Sequence, residues 1–288
     1  MILLLWLGCT TEPWCSASGT ALHTTWSARW QSASCVPGRD RLAEVMGGID
    51  ARLSVWNDTS ELHRLSGARA PVEVGAETAA VVRLALDVAE ASGGAFDPTV
   101  EPLMVAWGFR EGRADAPAPE VLARILPEVG WEAVEVSTGP TGTRVHPHGR
   151  HLDVSGVLEG HAADRLSRAL SGLGHVSHLV QVGDEVRVEG VGPHGMWTVG
   201  TPDGRVLRVA DVGVATAGVR GDGEAPSTLD PRTGALAHSD VRSVVVVAPT
   251  AAEADALATA VRVTGVEAGM ALLGRRLDVD GLIVPMHG

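Results

Sequence analysis

Asp255 and Thr259 stand four residues apart in the stretch Glu253-Ala254-Asp255-Ala256-Leu257-Ala258-Thr259. On a helix that spacing puts a carboxylate and a hydroxyl on one face, one turn apart. Both are hard oxygen donors suited to magnesium, which takes oxygen ligands and usually keeps waters or substrate phosphates. The pair alone also describes a solvated helix face or a local hydrogen bond, so it needs partners. Leu152-Asp153-Val154-Ser155-Gly156-Val157-Leu158-Glu159-Gly160 supplies candidates where a strand runs into a helix. Gly156 and Gly160 allow close backbone approach to a ligand, and a helix amino terminus favours anionic groups. Asp153 and Glu159 are two carboxylates around that turn, which on pattern alone is also an ordinary strand–helix junction.

A second constellation runs from Ser92 to Leu103 and on to Trp107-Gly108-Phe109. Phe96, Trp107 and Phe109 fall in one short stretch and include the only two Phe of the chain. They form either a core cluster under a loop or a wall for a flat heteroaromatic ligand. Asp230-Pro231-Arg232-Thr233-Gly234 has the make-up of a turn, Pro fixing φ and Gly closing it. His146, His148 and His151 have metal-ligand chemistry, but Pro147 and Gly149 separate them. With no acidic or Cys partner close in sequence, they read as a solvated loop.

The elements that must hold these groups follow from periodicity. Thr20–Gln31 alternates as a first strand, and Leu42–Leu65 reads as helix, turn and short helix broken at Asn57-Asp58-Thr59-Ser60. Glu77–Ser92 is a helix with Val81, Leu84, Ala85 and Val88 on one face, ended by Gly93-Gly94. A second amphipathic helix is expected from about Gly160 to Leu173. Short β-type runs between Val176 and Val214 suggest antiparallel strands. Val241–Ala248 is a β-branched buried strand, followed by a helix from Ala251 to about Val263 in which Thr250 and Glu253 have capping-box spacing. Leu277–Pro285 is expected to give a final strand pair. Strands and helices mix without regular β-α alternation, so the fold class is α+β, with mixed, largely antiparallel sheets packed with helices.

Composition narrows the chemistry. The 288 residues, 45% hydrophobic and 20% charged, suit a folded globular chain rather than a disordered one. A net charge of −12 argues against nucleic acid as a partner. All 23 cationic side chains are Arg, and there is no Tyr. Schiff-base, phosphate-loop-lysine and Tyr-acid chemistry are thereby excluded. The three Cys (Cys9, Cys15, Cys35) match no zinc spacing, and a core of this size does not require a disulfide scaffold.

Met1–Gly8 is apolar and ends at Cys9, like a signal peptide followed by the lipobox at which bacterial lipoproteins are cleaved and acylated. The basic n-region is missing. Residues 1–19 are read as leader and tether, and 20–288 as one domain. The expected location is the periplasmic side of the inner membrane, exported or lipid-anchored through Cys9. It is cytoplasmic if those first residues are not a leader.

In this order and spacing, the segments from about Leu22 to Pro285 resemble the FAD:protein FMN transferase (ApbE) family. The resemblance implies an α+β enzyme that uses Mg²⁺ to split the FAD pyrophosphate and place FMN on a Ser/Thr hydroxyl of a client protein. It further implies metal ligation by Asp255, Thr259 and the Gly156 carbonyl, with Asp255 and Thr259 acting in catalysis through the metal. Asp153, Glu159, Leu229 and Trp107-Gly108-Phe109 would contact FAD, and Trp56 would pack on it. The chain departs from the family pattern at several points. Glu159 replaces a common Lys, Ser227 a usual His, Ala217 a Ser and Asp184 the second of two glycines, while Val219–Pro226 is short. The metal ligands are therefore kept and the substrate rim is altered, which leaves a FAD-binding or FAD-pyrophosphatase homologue without transferase activity as the alternative.

Overall fold

The computed structural model describes residues 12–218, 228–237 and 239–286. The chain opens with a hairpin, β1 (Trp14–Ala21) and β2 (Thr24–Gln31), paired from Trp14↔Gln31 to Ala21↔Thr24. The single strand expected over Thr20–Gln31 is thus chiefly the second strand of a hairpin, and the first described strand starts at Trp14. The chain reverses at Leu22-His23, whose φ values are 54° and 59°. A two-residue hairpin loop that matches strand twist needs positive φ, and neither residue type advertises it. Cys15 on β1 is disulfide-bonded to Cys35, with Cα atoms 5.3 Å apart. The size of the core does not require such a bond, and the two Cys are paired all the same.

α1 (Val36–Leu53) has Pro37 in its first turn, where a missing N–H costs nothing. It buries Leu42, Val45, Met46, Ile49 and Leu53 at three- and four-residue steps. α2 (Glu61–Leu65) is capped by Ser60, whose Oγ accepts from the His63 amide at 2.9 Å. β3 (Val72–Val74) leads into α3 (Ala76–Ser92), which ends where Gly93 adopts φ 60° as a left-handed cap. After α4 (Glu101–Ala106) and α5 (Pro119–Ile125), β4 (Glu135–Gly139) and β5 (Gly142–His146) form a small sheet with β3, in the order β3-β5-β4.

α6 (Ser155–Gly172) begins five residues before the Gly160 start expected from periodicity. Next come β6 (His178–Val182), β7 (Glu185–Glu189), the hairpin β8 (Trp197–Gly200) and β9 (Val206–Val209), and β10 (Gly213–Gly218). β11 (Leu229–Asp230) and β12 (Ala235–Leu236) clip the Pro231–Gly234 turn. β13 (Val241–Ala248), α7 (Ala251–Thr264), α8 (Val266–Leu273) and β14 (Asp280–Pro285) complete the described chain. The segment read as a final strand pair gives one strand, β14, which pairs with β13 instead.

The main sheet has the order β1-β2-β6-β7-β10-β13-β14, antiparallel at every pairing. The β-branched run of β13 is explained by cover on both faces. Val244 and Val246 join the main core with Leu166 and Leu170 of α6 and Leu257 and Val261 of α7. Val245, pointing the other way, packs with Val186, Val214 and Trp197 under the β8–β9 hairpin. Each such side chain contributes roughly 1.5–3 kcal/mol when taken fully out of water. No helix among the described residues is long and apolar enough to cross a membrane.

Candidate functional site

α6 and α7 cross so closely because Gly160 has no side chain. A Cβ there would lie 2.3 Å from the Ala251 carbonyl oxygen. The approach is fastened at the same end of α7 by Asp164. Its two carboxylate oxygens accept from the Ala251 and Ala252 amides at 3.0 and 3.1 Å, satisfying orphan donors at the start of α7. Thr250 caps the same helix, its Oγ1 accepting from the Glu253 amide at 3.2 Å.

This crossing sets two four-residue steps against each other in opposite directions. Gly160 of α6 meets Asp255 of α7, whose Oδ2 accepts from the Gly160 amide at 3.2 Å. Gly156 meets Thr259, whose Oγ1 would be 3.6 Å from a Cβ on Gly156. Gly156 is also the one residue inside α6 with non-helical backbone angles (φ −77°, ψ 15°), so the helix breaks its regular ladder at this point. The oxygens singled out on α7 and the glycine bend are therefore neighbours in the folded chain.

A cavity of about 240 Å³ opens beside them, lined among others by Phe96, Asp97, Asp153, Gly156, Leu229 and Thr259. Asp153 is held from three sides. Its amide donates to the Pro98 carbonyl at 2.7 Å, Oδ1 accepts from the Ser155 amide at 2.8 Å, and Oδ2 pairs with the Arg110 guanidinium at 2.9 Å. Arg110 in turn lies 4.8 Å from the centroid of the half-exposed Trp56 ring, which ties Trp56 to this wall. Asp97, next to Pro98 in the chain, lines the same cavity. Its carboxylate accepts from the Thr99 amide and hydroxyl at 2.7 and 2.6 Å and from the Trp131 amide at 3.1 Å. Burial pushes its pKa up, against those hydrogen bonds.

Acid groups crowd behind the cavity. Burial drives the Asp255 carboxyl up to about 8; the Gly160 amide opposes the shift, and the Glu159 and Asp164 charges add to it. Burial likewise raises Glu185 well above the carboxylate range, helped by Asp255 and Glu159, and it raises Asp164. Carboxylates gathered in a low-dielectric site repel one another and favour either protons or a cation. Oxygen donors with this excess of negative charge suit a hard divalent ion.

Not every expected contact lies at the cavity. The Glu159 carboxylate turns toward the β6–β7 turn, where it would overlap a Cβ on Gly183, and it approaches Glu185 rather than the cavity wall. Phe96 parts company with Trp107 and Phe109. Trp107 is buried with Leu103 and Leu229, its Nε1 donates to the Gly234 carbonyl at 2.9 Å, and Phe109 stacks on it at 6.2 Å. Gly108 between them carries φ 74°. Trp107 and Phe109 thus brace Leu229 and the Asp230–Gly234 turn from beneath. Asp184 and Thr216 line a separate cavity under the β8–β9 hairpin, and Ala217 is the β10 residue paired with Val244. Ser227, Val219–Pro226 and Cys9 lie outside the described residues. Arg110, Asp164 and Glu185 carry no local sequence signal of a role; their importance comes from pairings across the fold that no local pattern records.

Comparison with known proteins agrees with this architecture. The profile of the ApbE family matches residues 20–283. The FAD:protein FMN transferase of Treponema pallidum (strain Nichols) is 31% identical over 81% of this chain and 72% of its own length. That of Escherichia coli (strain K12) is 30% identical over 93% of this chain and 82% of its own. Among solved structures, the flavin transferase ApbE of Vibrio cholerae superimposes with a TM-score of 0.82 at 26% identity, covering 95% of this chain and 94% of that one. The ApbE protein of Thermotoga maritima does so with a TM-score of 0.82 at 28% identity, covering 96% of each. With its profile matched over nearly the whole described fold, the chain belongs to the ApbE family.

Proposed function

We propose that this chain transfers FMN from FAD to a Ser/Thr hydroxyl of a client protein, with Mg²⁺ as cofactor. The observation that carries the reading is that Gly156 and Thr259 line one cavity with Asp153, Phe96 and Leu229, one helical turn from the contact between Gly160 and Asp255. The donor set fits the ion. Asp255, Thr259 and the Gly156 carbonyl would hold it, with the acid groups Glu159 and Glu185 close by. When bound, Mg²⁺ supplies positive charge against the pyrophosphate oxygens as a Lewis acid and template. The chain's own residues bind and orient. The α6 amino terminus opens at the cavity and favours anionic oxygens. Phe96 and Trp56 offer flat apolar surface for a heteroaromatic ring, and Arg110 keeps Asp153 in position. In the overall exchange an acceptor oxygen replaces AMP on the FMN phosphorus, and the hydroxyl proton is released.

Incubating the protein with FAD, Mg²⁺ and a Ser/Thr acceptor peptide tests this. Flavinylated peptide and stoichiometric AMP are the expected products. The changes at Ser227, Ala217 and Asp184 favour a second reading, a FAD-binding or FAD-pyrophosphatase homologue, which would yield bound FAD, or free FMN and AMP, and an unlabelled peptide. The proposed location is outside the cytosol with Cys9 as a lipid anchor. The Cys15–Cys35 bond supports it, since such bonds persist mainly in oxidising compartments.

A further inference from the structure

A second polar cluster lies away from the cavity, where β5 leaves the small sheet. Its histidines have no acidic neighbour along the chain, but cross-strand register supplies one. Glu135 of β4 is the partner of His146 on β5. The chain then turns through Pro147 to His148, whose φ of 50° folds its ring back over His146, with centroids 3.4 Å apart. His148 Nε2 lies 3.3 Å from Glu135 Oε1. One ligand atom from each of Glu135, His146 and His148 lies within 4.8 Å of the others.

We infer that Glu135, His146 and His148 form a binding site for a borderline divalent transition metal such as Zn²⁺, distinct from the proposed magnesium site. Two imidazoles and one carboxylate are a donor set that zinc and its neighbours accept and that magnesium, preferring oxygen, does not. The orientation of His146 has a support of the kind metal-bound histidines use. Its Nε2 is 3.3 Å from the Arg69 carbonyl, to which a ring N–H would donate. Three protein ligands leave positions for water, as expected of a site at the surface. The loop that carries His148 is itself tied down. The Gly149 amide donates to the Ala68 carbonyl at 2.8 Å, and the Gly67 amide to the Arg150 carbonyl at 2.9 Å. It continues through His151, paired with Glu101 at 3.3 Å, to Asp153 in the cavity wall. A metal at this point would clip the β4–β5 hairpin to the segment that leads into the cavity.

The test is titration calorimetry of the untagged protein with Zn²⁺ in the presence of excess Mg²⁺, with Co²⁺ absorption as a second readout. One saturable zinc site is expected, together with ligand-field bands of nitrogen-containing Co²⁺ coordination. His148→Ala and Glu135→Gln change exposed side chains, so their folds should be unaltered, which circular dichroism checks. Each should weaken zinc by at least the ~10–100-fold that loss of a mere outer-shell partner costs. Asp255→Ala should leave it unchanged. Absence of saturable zinc binding, or equal binding in wild type and His148→Ala, would overturn the assignment and leave the cluster as a cross-strand ion pair.

Discussion

The Asp255 carboxylate accepts a hydrogen bond from the Gly160 amide at 3.2 Å, joining residues 95 apart in the chain. That bond requires α6 and α7 to touch, and the contact brings Thr259 to Gly156 one turn away.

The contact is steric before it is chemical. Gly160→Ala would drive a methyl into the Ala251 backbone, which cannot swing aside as a long side chain can. A loss of about 1–3 kcal/mol is expected from urea unfolding, with a parallel loss of FAD affinity. Gly172→Ala on the same helix meets nothing within 4 Å and serves as the control, neutral or slightly stabilising. Equal stability of the two variants would mean that the helices do not depend on this close approach.

Arg110 is the only cation paired with the buried Asp153 carboxylate among the described ion pairs. Arg110→Gln would strand that charge at the cavity wall and release the Trp56 ring. A penalty of about 1–3 kcal/mol should appear as a KM for FAD raised about tenfold, with a smaller change in kcat. An unchanged KM would remove Arg110 and Trp56 from the substrate's surroundings.

His178 is fully buried, with Nδ1 against the His175 carbonyl at 2.9 Å and Nε2 against Ser167 Oγ at 2.8 Å. Burial holds its pKa below the usual 6.5. The unfolded chain therefore takes up this proton first as the medium is acidified. The stabilising contribution of the neutral ring is complete above about pH 6.5 and is lost as pH falls toward the lowered folded value. Asp97, Asp164, Glu185 and Asp255, with raised values, act in the opposite sense, so a difference measurement is needed. The difference in Tm between wild type and His178→Gln should shift in favour of the variant as the pH falls from 7.5 to 5. Parallel curves would count against it.

The Cys15–Cys35 bond closes a span of 20 residues. In the chain-entropy account such a loop contributes about 3 kcal/mol. The double variant Cys15→Ala/Cys35→Ala should lower the urea midpoint accordingly, and a reductant should then have no further effect. A midpoint equal to that of wild type would show the bond to be absent in solution.

Much of this site is legible in the amino-acid sequence because its signals are local. The four-residue spacing of Asp255 and Thr259, the Thr250 cap and the Gly93 stop each rest on a single turn of backbone. The features that are not legible depend on register and distance. Leu22 and His23 make a hairpin turn without turn residues, so nothing in the residue types marks β1. Cys15 meets Cys35 only after that hairpin forms. Glu135 becomes the neighbour of His146 through strand pairing, and Glu185 joins Asp255 through the packing of β7 against the helices. Phe96 and Trp107, close in sequence, diverge because α4 separates their surroundings.

The central claim is that Asp255 holds a catalytic cation, and one comparison tests it most directly. FMN transfer from FAD to an acceptor peptide is measured with Mg²⁺ for wild type and Asp255→Asn, alongside the cation-free Tm of each. Asn keeps an acceptor for the Gly160 amide and removes a charge from a crowded acidic site, so the Tm should be equal or higher. Transfer should fall by at least ~100-fold, the scale on which loss of one transition-state electrostatic contact is felt. Transfer by Asp255→Asn at the wild-type rate would contradict the account.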